Sequence, residues 1–313
     1  MPPLRYPYVP VIVNPASGPD RPVLSVLNAV FSQAGVDWDV YITKRAGDAR
    51  EKARQLVEAG APLVAVYGGD GTVKEAAQSL ARTSTHLAIF PGGTGNALAG
   101  ELALPADLAQ AARLVCGAPA HLQPVDMGEV NGELFVLRAS LGFETELLRG
   151  ADRELKDRLG KLAYPAVALH QIDALTSTRY QLTVDGREIQ AEGVQCTVAN
   201  SLQMGLGGLT LAHGADVSDG LLDVLVLRKM DLAALAAIAL SNVVGEDVSA
   251  EVQHWHAREV TIVAEPPQAV AFGGTVVAQT PVTFRVVPGA LQVVVPDEHE
   301  DWLGLSAIGP MPL

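Results

Sequence analysis

Val64-Ala65-Val66-Tyr67-Gly68-Gly69-Asp70-Gly71-Thr72 joins a short apolar run to a glycine pentad. The arrangement returns at Leu87-Ala88-Ile89-Phe90-Pro91-Gly92-Gly93-Thr94-Gly95-Asn96. Four apolar residues closed by glycine are too few for a helix and read as a buried strand. Each strand therefore ends in a loop with little side-chain bulk, where amide N–H groups come close to an anion. The helix that follows points its positive end at the same spot. A structural turn explains one such cluster equally well; two at the ends of successive strands read as a phosphate-binding pair.

Working outward, strand and helix alternate from about residue 8 to 104. Strands are expected at 9–13, 38–42, 64–67 and 87–90, with helices at 22–34, 48–59 and 73–82. This rhythm makes βαβ units and a parallel sheet, so ligands belong beyond the carboxyl ends of the strands. Asn14-Pro15-Ala16-Ser17-Gly18, Thr43 and both pentads should then converge on one crevice. After about Pro124 short alternating strands replace that rhythm, at 134–140, 180–184, 194–199, 222–227, 260–263, 282–287 and 291–295. Two folding units follow: an α/β unit over 1–124, completed by 297–313, and a β-rich sandwich over 125–296. Helical insertions are expected at 152–175 and 232–244.

Composition narrows the function. The 313 residues carry a formal charge of −13, with a pI near 4.9 and 49% hydrophobic residues. That balance argues against general affinity for nucleic acid or an anionic membrane, so any lipid contact must be local. No run approaches the roughly 18 apolar residues of a membrane span, and the N-terminus lacks a signal-peptide core. Cys116 and Cys196 have neither metal-type nor disulfide-type spacing and read as two buried thiols of a reducing cytosol. The expectation is a cytoplasmic chain with peripheral membrane contact; a homodimer stays open.

Two nucleotide motifs are excluded. The Gly160-Lys161 pair is followed by Leu162, which ends the Walker A reading; Gly93-x-Gly95 and Gly69-x-Gly71 meet Leu98 and Lys74 where a dinucleotide fingerprint needs glycine. Asp70 inside a phosphate loop calls for a cation or a local donor network.

In their order along the chain, Asn14 to Gly18, Gly68 to Thr72 and Pro91 to Asn96 resemble the diacylglycerol kinase catalytic-domain family, which includes bacterial lipid kinases and sphingoid-base kinases. The likeness continues through 156–164, Asn200, Asp219-Gly220-Leu221-Leu222-Asp223 and Pro288-Gly289-Ala290-Leu291. The resemblance implies an N-terminal α/β domain like that of NAD kinase and phosphofructokinase, a C-terminal β-rich domain, ATP in the cleft between them and a lipid hydroxyl as acceptor. It places Asn14, Pro15, Ala16, Ser17, Gly18, Thr43, Gly68, Gly69, Asp70, Gly71, Thr72, Val73, Lys74 and Thr94 along the nucleotide. It also implies Mg²⁺ on the Asp219 carboxylate with the carbonyls of Asp216 and Leu221.

The chain departs from the family at the base. Where the family carries Asp-Gly-Glu, this chain reads Gly273-Gly274-Thr275, and neither Gly273 nor Thr275 takes a proton near neutral pH. The hairpin is kept and its carboxylates are gone. Lys74 and His213 replace the family's usual asparagine and proline. Three functions stay open: a lipid kinase slowed by the missing base, an inactive nucleotide-binding paralogue, and a kinase for a soluble substrate such as NAD or a sugar. Elsewhere, His254 and His256 share one face of a strand, yet with no third ligand identified nearby they read as surface histidines. Arg149, Arg153, Lys156, Arg158 and Lys161 alternate with acids and read as a solvated helix face.

Overall fold

The structure, a computed structural model, describes residues 6–18, 20–142, 145, 177–202, 216–229 and 251–297. The expected helices at 152–175 and 232–244, the basic stretch 149–161, His213 and the tail beyond 297 lie outside these residues. The chain divides into two compact units, one of residues up to Pro124 and from Leu291 onward, the other Val125–Ala290.

The first unit runs β1 (Tyr8–Val13), α1 (Val23–Ala34), β2 (Asp37–Ile42), α2 (Asp48–Glu58), β3 (Leu63–Gly68), α3 (Asp70–Leu80), β4 (His86–Pro91), α4 (Ala97–Glu101) and α5 (Leu108–Arg113). The strands are parallel in the order β2-β1-β3-β4. β3 is buried along its whole length, whereas β2, at the edge, is mostly open. That contrast is what a parallel sheet covered on both faces requires of its inner strands. Helix α1 packs with α5, and α2 with α3. From β1 the chain winds one way to β2 and the other way to β3, so the topological switch point lies between β1 and β3.

The second unit is a β-sandwich. It contains most of β5 (Ala120–Val130), then β6 (Glu133–Phe135), β7 (Arg138–Gly142), β8 (Thr178–Val184), β9 (Arg187–Gly193), β10 (Gln195–Ala199), β11 (Leu222–Leu227), β12 (Val252–Ala257), β13 (Glu259–Glu265), β14 (Ala269–Phe272), β15 (Thr275–Gln279) and the first part of β16 (Val282–Pro296). One sheet is antiparallel in the order β12-β11-β10-β7-β14-β15. In the other, β16, β13, β8 and β9 pair antiparallel in turn. Buried side chains of both sheets, among them Leu141, Cys196, Val224, Tyr180, Ile262 and Phe284, form one core. The strict alternation of β8 marks a sheet with one face in and one face out.

Several boundaries differ from the sequence reading for identifiable reasons. The strand expected at 134–140 breaks into β6 and β7, because the carbonyl of Leu137 accepts from the N–H groups of Asn200 and Ser201. The strands expected at 282–287 and 291–295 are one strand: Gly289, at φ 55°, bends it without ending it. Strand β9 escaped notice because its sequence, Arg-Glu-Ile-Gln-Ala-Glu-Gly, is that of an edge strand with polar faces. Cys116 is half-buried, not buried, while Cys196 is fully enclosed and its thiol is pushed up to about 12 by desolvation.

Candidate active site

In the first unit, the loops after β1, β3 and β4 meet at the switch point. Asn14 N–H donates to the Tyr67 carbonyl (3.0 Å), and its side-chain amide donates to Thr72 Oγ1 (2.9 Å) while its Oδ1 receives Ala16 N–H (3.0 Å). Gly69 N–H donates to Ser17 Oγ (3.3 Å) and Gly92 N–H to the Gly68 carbonyl (2.9 Å). Thr43, just past the end of β2, donates its N–H to the Val13 carbonyl at the end of β1 (2.9 Å). The convergence read from the sequence is thus a hydrogen-bonded assembly.

Glycine is required here by contact. A Cβ on Gly93 would stand 2.5 Å from the Cα of Gly69, and one on Gly18 only 1.9 Å from the Gly92 oxygen. The three loops approach backbone to backbone, with no room for a side chain between them.

The first pentad is not a loop throughout. Gly68 ends β3, Gly69 is the extended N-cap and Asp70 already begins α3, with Thr72 and Val73 N–H on the Gly69 carbonyl. The first N–H groups of α3, at Asp70 and Gly71, therefore have no acceptor within the helix. Asp70 is accommodated by a donor: its Oδ1 receives the N–H of Ala97, the first residue of α4, at 2.6 Å. An acid at a helix N-terminus is favourable in itself. Asn96 holds the second loop by bonding both the N–H and the carbonyl of Gly93 at 2.9 Å.

Not every expected residue lies open at these loops. Val73 is 4% exposed and belongs to the core, and Thr72 is buried with its hydroxyl taken by Asn14. Pro15, Ala16, Gly18, Gly71 and Thr94 are exposed, and Lys74 is half-buried on α3.

In the second unit the acidic turn is organised by a residue that the sequence reading missed. Asp126, 1% exposed, receives Gly220 N–H on Oδ2 and Gly289 N–H on Oδ1, both at 2.6 Å, and donates its own N–H to the Val217 carbonyl at 2.7 Å. Asn200 in turn donates to the Asp126 and Val136 carbonyls. One carboxylate thus pins the Asp219-Gly220-Leu221 turn to the Pro288-Gly289-Ala290 segment. Its only sequence signal is an acid in the apolar setting Val125-Asp126-Met127.

Asp219 bonds Leu221 N–H (2.9 Å), and Asp216 bonds the N–H and hydroxyl of Ser218. The Asp219 carboxyl is held above its ordinary range, chiefly by desolvation and then by the charges of Asp216, Asp223 and Asp126. At the far end of the six-stranded sheet, β14 and β15 pair Phe272 with Thr275 around Gly273 and Gly274, at φ 56° and 80°. Two positive φ values define the tight turn that Asp-Gly or Gly-Gly sequences favour.

The profile described as "Diacylglycerol kinase catalytic domain" matches residues 8–130 of this chain, and that described as "YegS C-terminal NAD kinase beta sandwich-like domain" matches 138–295. The chain is 30% identical over 300 residues to the diacylglycerol kinase of Bacillus subtilis (strain 168), covering 94% of this chain and 98% of that one. It belongs to the diacylglycerol kinase catalytic-domain family. A Pseudomonas aeruginosa protein named "Probable lipid kinase YegS-like" is 31% identical over 273 residues, covering 86% and 88% of the two chains. A crystal structure of a diacylglycerol kinase from Bacillus anthracis str. Sterne superposes with a TM-score of 0.77 at 26% identity, over 93% of this chain and 98% of that one. The family's two-part build, an α/β domain followed by a β-sandwich, is the one found here. Among the described residues no helix is long and apolar enough to cross a membrane.

Proposed function

We propose that this family member is an ATP-dependent lipid kinase whose transfer step is slowed by the loss of its base. The observation that carries the reading is the close meeting of three glycine loops at the β1/β3 switch point, with the uncapped N–H groups of α3 beside them. Amides arranged in this way suit the phosphates of a nucleotide, and glycine at 18, 69 and 93 lets the loops that carry them meet backbone to backbone.

Phosphoryl transfer forms a bond between the lipid oxygen and the γ-phosphorus as the bond to the ADP oxygen breaks, and the hydroxyl proton must leave. With Gly273-Gly274-Thr275 in the hairpin, that proton passes to solvent. A positioned base is worth about 10² to 10⁴ in rate, whereas most of phosphoryl-transfer catalysis is positioning and charge stabilisation. A slow enzyme is the expected result.

The acidic turn fits a hard divalent cation. Its Asp219 carboxyl is held up by desolvation and by three neighbouring carboxylates, a burden that a positive charge relieves. Mg²⁺ bound there by the Asp219 carboxylate and the carbonyls of Asp216 and Leu221 would supply charge neutralisation and fix the turn.

The test is transfer of labelled γ-phosphate from Mg-ATP to diacylglycerol, phosphatidylglycerol and sphingoid bases, by the natural chain and by Gly273→Asp with Thr275→Glu. Asp-Gly suits the two positive φ values of this turn, so the double variant keeps the hairpin. We expect slow transfer by the natural chain and a gain of about 10²-fold on restoring the carboxylates. The hairpin also favours a second reading, a nucleotide-binding paralogue without activity, which is established if only the restored variant transfers phosphate. Absence of ATP binding in both overturns the proposal.

A further inference from the structure

Three side chains, of which the kinase reading uses only the charge of Asp223, meet on one face of the six-stranded sheet. Strand β12 carries His254 and His256 two residues apart, hence on the same face. The register places Asp223 of β11 directly across from His256 and Leu225 across from His254, so Asp223 faces one imidazole and lies diagonal to the other. Trp255 points the opposite way and packs on the sandwich core. The sequence alone supplied two histidines; the sheet supplies their third partner from 31 residues upstream.

The geometry converges on one point. Nε2 of His254 stands 2.6 Å and Nε2 of His256 3.3 Å from the same oxygen, Asp223 Oδ1, with the ring centroids 4.7 Å apart. The ligand-capable atoms of all three residues lie within 4.8 Å of one another. Exposure is graded: the Asp223 side chain is 5% exposed, His254 18% and His256 50%. The cluster is anchored in the sheet and open at one side.

A hydrogen-bonded pair accounts for His254 and Asp223 alone. The His256 ring, 4.7 Å from the first and 3.3 Å from the same oxygen, makes a second contact to that carboxylate. A metal ion accounts for all three, since bonds of about 2.0–2.1 Å at tetrahedral angles set neighbouring ligand atoms roughly 3.3 Å apart. The His256–Asp223 separation already has that value, and the shorter His254 contact needs to open by several tenths of an ångström. Two imidazoles and a carboxylate favour a borderline cation over Mg²⁺, which takes oxygen ligands. The ligand chemistry thus separates this cluster from the Asp219 turn.

We propose that Asp223, His254 and His256 bind a divalent transition-metal cation of the zinc class, with an open coordination position on the exposed His256 side. The site clasps the edge strand β12 to β11. It does not replace the missing base, because β12 and β15 are opposite edges of a six-stranded sheet, about 24 Å apart at the usual strand spacing. The proposal therefore stands independently of the kinase reading.

The test is titration of the metal-free full chain with Co²⁺, followed by its visible absorption bands, and with Zn²⁺ by calorimetry. The same titrations are made on His254→Gln, His256→Gln and Asp219→Asn. We expect one equivalent of Co²⁺ to bind, to be displaced by Zn²⁺ and not by excess Mg²⁺. Each histidine variant should weaken binding by at least about tenfold, and Asp219→Asn should bind as the natural chain does. The His256 side chain is half exposed, so that variant should keep its metal-free melting temperature, and Zn²⁺ should raise the melting temperature of the natural chain and of Asp219→Asn more than that of either histidine variant. Failure of the natural chain to bind Co²⁺ and Zn²⁺ at micromolar concentration overturns the proposal. So does undiminished binding in both histidine variants, or loss confined to Asp219→Asn.

Discussion

Asp126 shows how much one buried side chain organises. Its two oxygens satisfy backbone donors 94 and 163 residues away, and its own carbonyl receives Asn200. Replacing it with alanine strands two N–H groups that hydrogen bonds to a charged acceptor now satisfy. Gly220 is half-buried and Gly289 exposed, so water re-pairs part of what is lost, and Asp126→Ala should lose about 1–2 kcal/mol in urea unfolding. A loss below 1 kcal/mol would mean that solvent replaces the carboxylate and that the hub is incidental. This residue also marks a limit of reading from sequence. Asp219 and Gly289 stand in recognisable local patterns, whereas the acid joining them is a lone polar residue in an apolar strand, and its partners are set by sheet pairing alone. The same holds for Asp223, which becomes a partner of two histidines only when β11 and β12 align.

The elements around the glycine loops were largely legible, because their signals are local: apolar runs of strand length, glycines at their ends and a helical period after them. The register of helix onset was not, since Asp70, Gly71 and Thr72 read equally as loop until Gly69 is seen as the cap. That detail separates a glycine of the first pentad from one of the second. Gly71 lies in the first turn of α3, where an added Cβ meets nothing within 4 Å, so Gly71→Ala should stabilise the unit by about 0.5–1 kcal/mol through helix propensity. Gly93→Ala drives a methyl group into the Gly69 backbone and should destabilise by about 1–3 kcal/mol, with ATP affinity falling in parallel. Chemical denaturation of the two variants measures both signs. Equal effects would mean that the loops do not approach as closely as the structure shows.

Across the whole chain, the change from strand–helix alternation to short strands near Pro124 told of two units, and the structure divides the chain there and again at Leu291. The return to the first unit, expected from 297, comes earlier, at Leu291, inside the continuous strand β16 where no local signal marks it. Charge acts at this scale as well. A formal charge of −13 repels an anionic surface, and the repulsion reaches about 30 Å at 0.01 M salt but only about 3 Å at 1 M. Association with phosphatidylglycerol vesicles, followed by sedimentation, should therefore not strengthen as salt is lowered across that range. A steep gain at low salt would show that the basic residues at 149–161 override the net charge.

The span bridged by Asp126 bears on biosynthesis. Its carboxylate leaves the ribosome 163 residues ahead of Gly289, which at about 5–20 residues per second is a wait of roughly 8–30 s with one oxygen unclaimed. The nascent β-sandwich is therefore completed late, by the arrival of a single glycine amide, and a translation product ending short of that residue emerges with its acidic hub half filled.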